Sequence, residues 1–345
     1  MSTTPPRAMN AHNNLHALLF QATSAEYIAL CLQAYQLARH AFRDRLNSGT
    51  FRNPAVVYDL DETVLDNHAY QAWQIKTGTN YDATSWNRWC NAVQAEAVPG
   101  AIEFIQYVEQ AGATPIFITS RDKSTREATL KNLNLLGALN DKDLESELNW
   151  AHAGDTTILA QNTRLFMAGM DKVTTAGPSG GKEWILKNKF DQRSWVVGAR
   201  GFEIILSVGD NLGDYAEYYG KVYDKSIWTF YDKLSDRPID GRHPKLQERR
   251  SSVLQDASLF GRDFVLIPNS TYGGWLRAFE ANQLGSSDEL AGTSVPVRDA
   301  LNEPQTPFTY ANPKAGQPNE PEEITKTPAG PKFDAKNQLR IWDGQ

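Results

Sequence analysis

"VVYDLDETVLDN", residues 56–67, places four acidic side chains directly behind an apolar run. Together with Ala55 and the first residues of that stretch, "AVVYDL" (55–60) reads as a β-branched strand apolar on both faces, as expected of a strand buried in a parallel sheet. Carboxylates repel one another and resist burial. Their crowding at the end of such a strand points to a bound cation, or to a reaction that uses both Asp59 and Asp61.

On the N-terminal side, "NLHALLFQATSAEYIALCLQAYQLARHAFRDRL" lacks Gly and Pro and repeats apolar residues at three and four, which predicts one or two helices. "TSAE" (23–26) has the pattern of a capping box opening the second. On the C-terminal side, residues 68–98 are rich in Trp, Tyr, Asn and Gln and read as short helices in an insert. "PGAIEFIQYVEQAG" and "TREATLKNLNLLG" are helices with glycine stops, and "TPIFITS" between them is a second buried strand. Residues 140–181 are ambiguous and end in a "GPSGG" loop; "EWILKN" (183–188) is the candidate third strand, and "DQRSWVVGARG" a short helix. "FEIILSVGD" is the fourth strand, "NLGDYAEYYGK" opens a helix, and "RDFVLIPN" (262–269) is the fifth strand.

Alternation of strand and helix predicts an α/β fold: a Rossmann-like, doubly wound parallel sheet covered by helices. The expected organisation is a disordered lead (1–14), N-terminal helices on the core (15–50), and a catalytic core (51–67 and 99–300). A small, mostly helical cap (68–98) and a further insert over 140–183 would complete it. The tail (301–345) would be proline-rich and extended, with "LRIWDGQ" docking back.

The chain has 345 residues, 41% hydrophobic and 22% charged, and a net charge of −6. That charge argues against a nucleic-acid partner. Cys31 and Cys90 form no CxxC pair and read as small core residues. No apolar run reaches eighteen residues, so no transmembrane helix is expected, and the polar start "MSTTPPRAMNAHNN" shows no signal core.

In an open parallel sheet, ligands bind at the carboxyl ends of the strands. Four polar groups fall there: Asp59 with Asp61, Thr119 with Ser120, Lys187 with Lys189, and Asp210 with Asp214 in "GDNLGD". Phosphoryl transfer uses such a set. An aspartate can attack phosphorus and split one displacement into two, a role that suits Asp59. Asp61 can protonate the leaving oxygen and then take a proton from water. Mg²⁺ favours a few carboxylates, a carbonyl and waters, which Asp59, the Asp61 carbonyl and Asp210 would supply. Thr119 can donate to a phosphoryl oxygen, and a lysine can neutralise developing charge. For Asp214 a structural acid is the competing, less favoured reading.

These residues carry a resemblance. "DLDET" is similar to the DxDxT motif of the haloacid dehalogenase (HAD) superfamily. "FITSR", a lysine before a helix, and "GDNLGD" resemble its other three motifs in order. "VVYDLDETVLDN", "SVGDNLGDY", "SWNRWCNAVQAEAVPGAIEF", "LIPNSTYGGW" and the terminal "WDG" resemble class C acid phosphatases, bacterial lipoproteins acting on 5′-nucleotides, over residues 17 to 280 and again at the last few. The resemblance implies Asp59 as nucleophile, Asp61 as acid/base, Asp210 as Mg²⁺ ligand with Asp214 in support, and Thr119 on the phosphoryl group. The spacing in "KFDQRSWV" selects Lys189 as the catalytic lysine over Lys187 and Lys182. Trp86 and Tyr272 would contact substrate; Tyr70, Trp89 and His68 are weaker candidates, since aromatics are more often core and His68 reads as well as a solvated loop residue.

The implied enzyme is an Mg²⁺-dependent phosphomonoesterase with an acidic optimum, because Asp61 must carry a proton to act as acid. Its partner would be a small phosphomonoester, a nucleotide above all, and a homodimer is one assembly compatible with the sequence. Family members are periplasmic, outer-membrane-associated or secreted, and carry a lipid-accepting cysteine that is not visible here. The stretch 140–183 and the proline-rich 303–332 are longer than the family pattern. A dehalogenase or phosphonatase, or a non-catalytic nucleotide-binding protein on the same fold, are the competing readings. The second aspartate argues against the first, and the full set of Asp59, Asp61, Thr119 and Asp210 against the second.

Overall fold

Val56 and Tyr58 of the first strand pack into one hydrophobic cluster, while Ala55 and Val57 pack into another on the opposite side. All four are buried, so this strand has helices on both faces. The computed structural model describes residues 14–152, 156–170, 172–175, 182–186, 189–215, 253–254 and 257–275, together with 342 and 344.

Two helices, α1 (Leu15–Thr23) and α2 (Ala25–Ser48), lead into β1 (Pro54–Tyr58). The chain continues through β2 (Leu65–Asp66), α3 (His68–Thr77), α4 (Ala83–Asn91), β3 (Glu96–Ala97), α5 (Ala101–Gln110) and β4 (Thr114–Asp122). Helices α6 (Arg126–Leu135), α7 (Asp141–His152) and α8 (Thr156–Asn162) precede β5 (Leu165–Ala168), β6 (Lys172–Thr175) and β7 (Lys182–Ile185). Helix α9 (Lys189–Gly198), β8 (Glu203–Gly209) and β9 (Phe264–Leu266) follow.

The central sheet runs β5-β4-β1-β8-β9, and every pairing in it is parallel. In order of appearance its strands lie 3-2-1-4-5, a doubly wound arrangement that reverses direction between β1 and β8. That reversal opens a crevice at the carboxyl ends of β1 and β8, where Asp59 and Asp210 lie. On one face, α2 and α5 contribute Tyr35, Phe42 and Phe104; the Phe104 ring sits 5.9 Å from Tyr58 and 6.2 Å from Phe42. On the other, Trp195 of α9 and Phe166 of β5 fill the core, and the Trp195 indole donates to the Ala160 carbonyl of α8 at 2.7 Å.

Helices α3 and α4 stand between β2 and β3, which pair antiparallel and close the insert at its base. The Tyr70 ring is the hub of this layer, 5.7 Å from Trp73, 5.1 Å from Trp86 and 6.4 Å from Trp89. Trp342, from the other end of the chain, inserts into the same cluster. It is buried to 2% exposure, lies 5.2 Å from Trp73 and 5.7 Å from Trp89, and donates its N–H to the Ala69 carbonyl at 3.2 Å.

Several expectations are corrected. The third strand of the sheet is β5, inside the stretch read as an insert; Glu183, Trp184 and Ile185 of "EWILKN" instead belong to β7, which pairs antiparallel with β6 in a separate sheet. So the expected 140–183 insert is in part core. Helix α2 begins one residue later than the capping box required: Ser24 is the N-cap and accepts from the Tyr27 N–H, so Glu26 is not at the position that closes a box. Asn14, assigned to a disordered lead, donates to the Thr271 carbonyl. The helix opened by "NLGDYAEYYGK" is described only as a 3₁₀ turn, Leu212–Tyr215. The rest of that segment, residues 1–13 and the proline-rich 303–332 lie outside the described residues.

Cys31 and Cys90 are free and buried, and burial pushes both thiols up to about 12. Among the described residues no single helix is long and apolar enough to cross a membrane; α1 and α2 pass that test only as a pair, bent by 67°.

Candidate active site

Asp59 is the first residue beyond β1, and its N–H still donates to the Val208 carbonyl of β8 at 3.0 Å. The chain then turns sharply: the Leu60 carbonyl accepts from the N–H groups of Thr63, Val64 and Leu65 at 3.2, 2.8 and 2.8 Å. This turn fixes Asp59 and Asp61 at the crevice. It forces Glu62 to a left-handed φ of 56°, a conformation that costs a non-glycine residue about 1–2 kcal/mol.

Lys189, the first residue of α9, reaches the carboxylate cluster. Its Nζ donates to Asp59 Oδ1 and to Asp214 Oδ1, both at 2.6 Å. Asp210 follows β8; its Oδ2 accepts from Asn269 Nδ2 at 2.7 Å, and its Oδ1 from Thr63 Oγ1 at 3.5 Å. Asp214 also holds the loop itself, accepting from the Asn211 N–H at 2.9 Å. The close fit demands glycine at 209: an added Cβ would lie 2.8 Å from Asp214 Cγ, and nearer still to its Cβ and Oδ2. Behind this loop, the buried Arg193 guanidinium donates to the Asp214 carbonyl at 2.8 Å.

Asp61 lies in a different environment. Its Oδ1 accepts from Arg121 Nε at 2.9 Å and from Asn67 Nδ2 at 3.1 Å, and the Arg121 NH2 is 2.8 Å away. Its Oδ2 faces Thr119 Oγ1 at 3.5 Å. Arg121 is buried, and its guanidinium lies 5.7 Å from the centre of the Trp86 ring.

The electrostatics match this geometry. Burial pushes the Asp59 carboxyl up to about 7; Lys189 opposes the shift, and Asp214 and Asp61 add to it. Asp210 is raised by its partly buried position and then by Asp214 and Asp59. Burial alone would lower Lys189, but Asp214 and Asp59 overcome it and hold the ammonium charged. Ligand atoms of Asp59, Asp210 and Asp214 lie within 4.8 Å of one another. Three oxygen donors this close, destabilised by their shared charge, form the donor set of a hard divalent cation.

The sequence matches the model of the HAD superfamily, subfamily IIIB (Acid phosphatase), over residues 3–275. The chain belongs to that acid phosphatase family. Two structures of the class C acid phosphatase from Bacillus anthracis are similar to it. The one with tungstate bound is 28% identical with a TM-score of 0.55, covering 81% of this chain and 92% of that chain. The other is 28% identical with a TM-score of 0.57, covering 84% and 95%. The chain is therefore a phosphoric monoester hydrolase on a HAD-type α/β fold, and family membership sets aside the dehalogenase and binding-protein readings.

In this phosphatase, Asp59, Asp61, Thr119, Lys189, Asp210 and Asp214 converge on one crevice. Lys187 and the Lys182 side chain lie outside the described residues. Tyr272 sits at the rim, 37% exposed, its hydroxyl donating to Glu62 Oε2. Trp86 is half-buried and reaches the site through Arg121. Tyr70, proposed as a substrate contact, is 2% exposed; its ring is enclosed by tryptophans and its hydroxyl pairs with Ser85 Oγ at 2.9 Å. His68, read as a leaving-group contact or a solvated loop residue, is not solvated: it is 1% exposed, its Nδ1 3.0 Å from Asp66. Trp89 is likewise buried, and its indole donates to Asn67 at 2.7 Å. Sequence reasoning missed Arg121, Asn269 and Glu62. Each stands within a quoted motif, but nothing in spacing alone shows that Arg121 turns back on Asp61.

Proposed function

We propose that this phosphatase hydrolyses small phosphomonoesters, 5′-nucleotides among them, through an aspartyl-phosphate on Asp59, with Mg²⁺ as its metal. The observation that carries this reading is the pairing of Asp59 with Lys189 beside an Asp61 held by Arg121, at the reversal point of the sheet. The carboxylates of Asp59 and Asp210 and the main-chain carbonyl of Asp61 would hold the metal, with Asp214 in support. When bound it would supply positive charge against the phosphoryl oxygens.

In the first step an Asp59 oxygen attacks phosphorus, the P–O bond to the leaving group breaks, and Asp61 gives its proton to the departing oxygen. In the second, Asp61 takes a proton from a water that attacks phosphorus, releasing phosphate and restoring Asp59. Arg121 and Asn67 occupy Asp61 Oδ1, which leaves Oδ2 to carry the transferred proton. Thr119 donates to a phosphoryl oxygen, and Lys189 offsets the charge that builds there. Trp86 and Tyr272 border the leaving group, and their aromatic faces suit a nucleobase. The family resemblance further supports an enzyme that works outside the cytoplasm, which fractionation of the producing cells tests.

The deciding experiment measures phosphate release from p-nitrophenyl phosphate and from 5′- and 3′-nucleotides between pH 4 and 8. It is run with Mg²⁺ or EDTA, beside Asp59→Asn. Metal-dependent release at acidic pH that disappears in the variant supports the reading; no release from any ester with Mg²⁺ present overturns it.

A further inference from the structure

The reaction uses neither Glu62 nor Asp66 of the 59–66 turn; Asp66 is taken up by His68, whereas Glu62 faces Asn67, Gln71 and Tyr272. Glu62 is fully buried, and it sits in a left-handed conformation at φ 56°. Strained non-glycine residues persist where the surroundings over-determine them, and the contacts of Glu62 show what does so here. Its Oε1 accepts from the Asn67 N–H at 3.0 Å and from Gln71 Nε2 of α3 at 3.4 Å. Its Oε2 accepts from the Tyr272 hydroxyl. One carboxyl thus ties together the catalytic turn, the first helix of the insert and the loop after β9.

That loop is anchored from behind by other groups. Asn269 Oδ1 accepts from the N–H of Thr271 at 2.9 Å while its Nδ2 holds Asp210. Ser270 Oγ donates to the Ala17 carbonyl at 3.0 Å, and Thr271 Oγ1 to Gln21 at 3.4 Å. These contacts fix the backbone. The direction of the Tyr272 ring at the crevice rim is fixed at its far end, by Glu62.

We propose that Glu62 is a positioning residue that sets the Tyr272 ring against the leaving group, so that preference for ring-bearing phosphomonoesters depends on a side chain that touches no substrate. The proposal rests on the reading of Tyr272 as a leaving-group contact. It separates two properties of neighbouring residues: Asp61 moves the proton, and Glu62, next in the chain, aligns the surface that the leaving group meets. A glutamine at 62 keeps the bridge, since its oxygen can accept from Asn67 while its NH₂ donates to the tyrosine oxygen.

The test compares kcat and KM for p-nitrophenyl phosphate and for glycerol 2-phosphate in the parent, Glu62→Ala, Glu62→Gln, Tyr272→Phe and the double variant Glu62→Ala/Tyr272→Phe. In Glu62→Ala the ratio of kcat/KM, aromatic over aliphatic, should fall about tenfold, through KM, as expected for loss of one orienting hydrogen bond. Glu62→Gln should retain the ratio. Tyr272→Phe should lower it, and the double variant should fall no further than Glu62→Ala, because both changes cut the same bond. An unchanged ratio in Tyr272→Phe, or single effects on the ratio that add in the double variant, would overturn the proposal. Tyr272→Phe and Glu62→Gln keep the test decisive should Glu62→Ala fail to fold. The same comparison is made without turnover in the Asp59→Asn protein, from the Kd of phenyl phosphate against inorganic phosphate. Loss of turnover in the parent with this binding ratio still sensitive to Glu62 would sink the reaction and spare the positioning role.

Discussion

Removing divalent cations should make Asp59 a pH-dependent liability to the fold. Its carboxyl is raised from 3.8 to about 7, first by burial and then by Asp214 and Asp61, with Lys189 only partly offsetting them. A carboxyl raised in the folded state binds its proton more tightly there than in the unfolded chain. The folded state therefore loses stability as pH climbs from about 4, and the loss is complete by about 7. A rise of this size corresponds to ~4 kcal/mol. Lys189 titrates far above this window, so its contribution is constant across it. Asp210 and Glu62 are raised by burial as well and push the same way, whereas Asp82 and Asp122 are held below their ordinary values by hydrogen bonds from Ser85 and Ser124 and push the opposite way. The effect is therefore isolated by difference, from thermal unfolding of the parent and Asp59→Asn in EDTA between pH 4 and 8. The variant should gain on the parent as pH rises, with a gap in Tm on the order of 10 °C at pH 7.5, and Mg²⁺ should narrow it. A gap that stays constant from pH 4 to 7.5 would show that Asp59 is not raised, and would remove the electrostatic case for a cation in this crevice.

Three other outcomes follow from the geometry. Asp61→Asn should lower kcat for phosphate release by about 10²- to 10⁴-fold, measured with p-nitrophenyl phosphate at saturating Mg²⁺, and should also lower the unfolding midpoint, because the buried Arg121 guanidinium loses its carboxylate partner. Lys189→Ala leaves Asp59 and Asp214 without their shared ammonium; urea unfolding in EDTA at pH 7 should show a loss of about 3–5 kcal/mol. Trp342→Ala empties a buried site among Tyr70, Trp73 and Trp89 and should cost about 3–5 kcal/mol, read as a lower denaturant midpoint.

The sheet was legible where composition and position agreed. "AVVYDL", "TPIFITS" and "FEIILSVGD" are strands because their apolar residues meet helices on both faces, and the acids that follow them mark the crevice. Strand β5 was not legible: "LFMA" is only four residues long and lies in a stretch with no clear periodicity. The pattern of "EWILKN" suits a strand equally well, and only pairing with β6, a tertiary fact, keeps it out of the main sheet. The carboxylates were legible because so many charges at strand ends have few structural explanations. The aromatics were not. Trp86 and Tyr70 lie in the same run of sequence and touch each other, yet one borders Arg121 while the other is sealed beneath it. Arg121 and Glu62 escaped notice for the same reason: their importance comes from where the chain folds back.

The docking of Trp342 has a consequence in time as well as in space. Its N–H is bonded to the carbonyl of Ala69, and about 270 residues of synthesis separate the two positions. At roughly 5–20 residues per second, a ribosome takes about 15 to 55 seconds to bring the indole out after Ala69 has been made. During that interval Tyr70, Trp73 and Trp89 present an unfilled aromatic pocket beside the crevice. Exposed apolar surface of this kind favours association, so a chaperone or another nascent chain has its opening before the last tryptophan arrives.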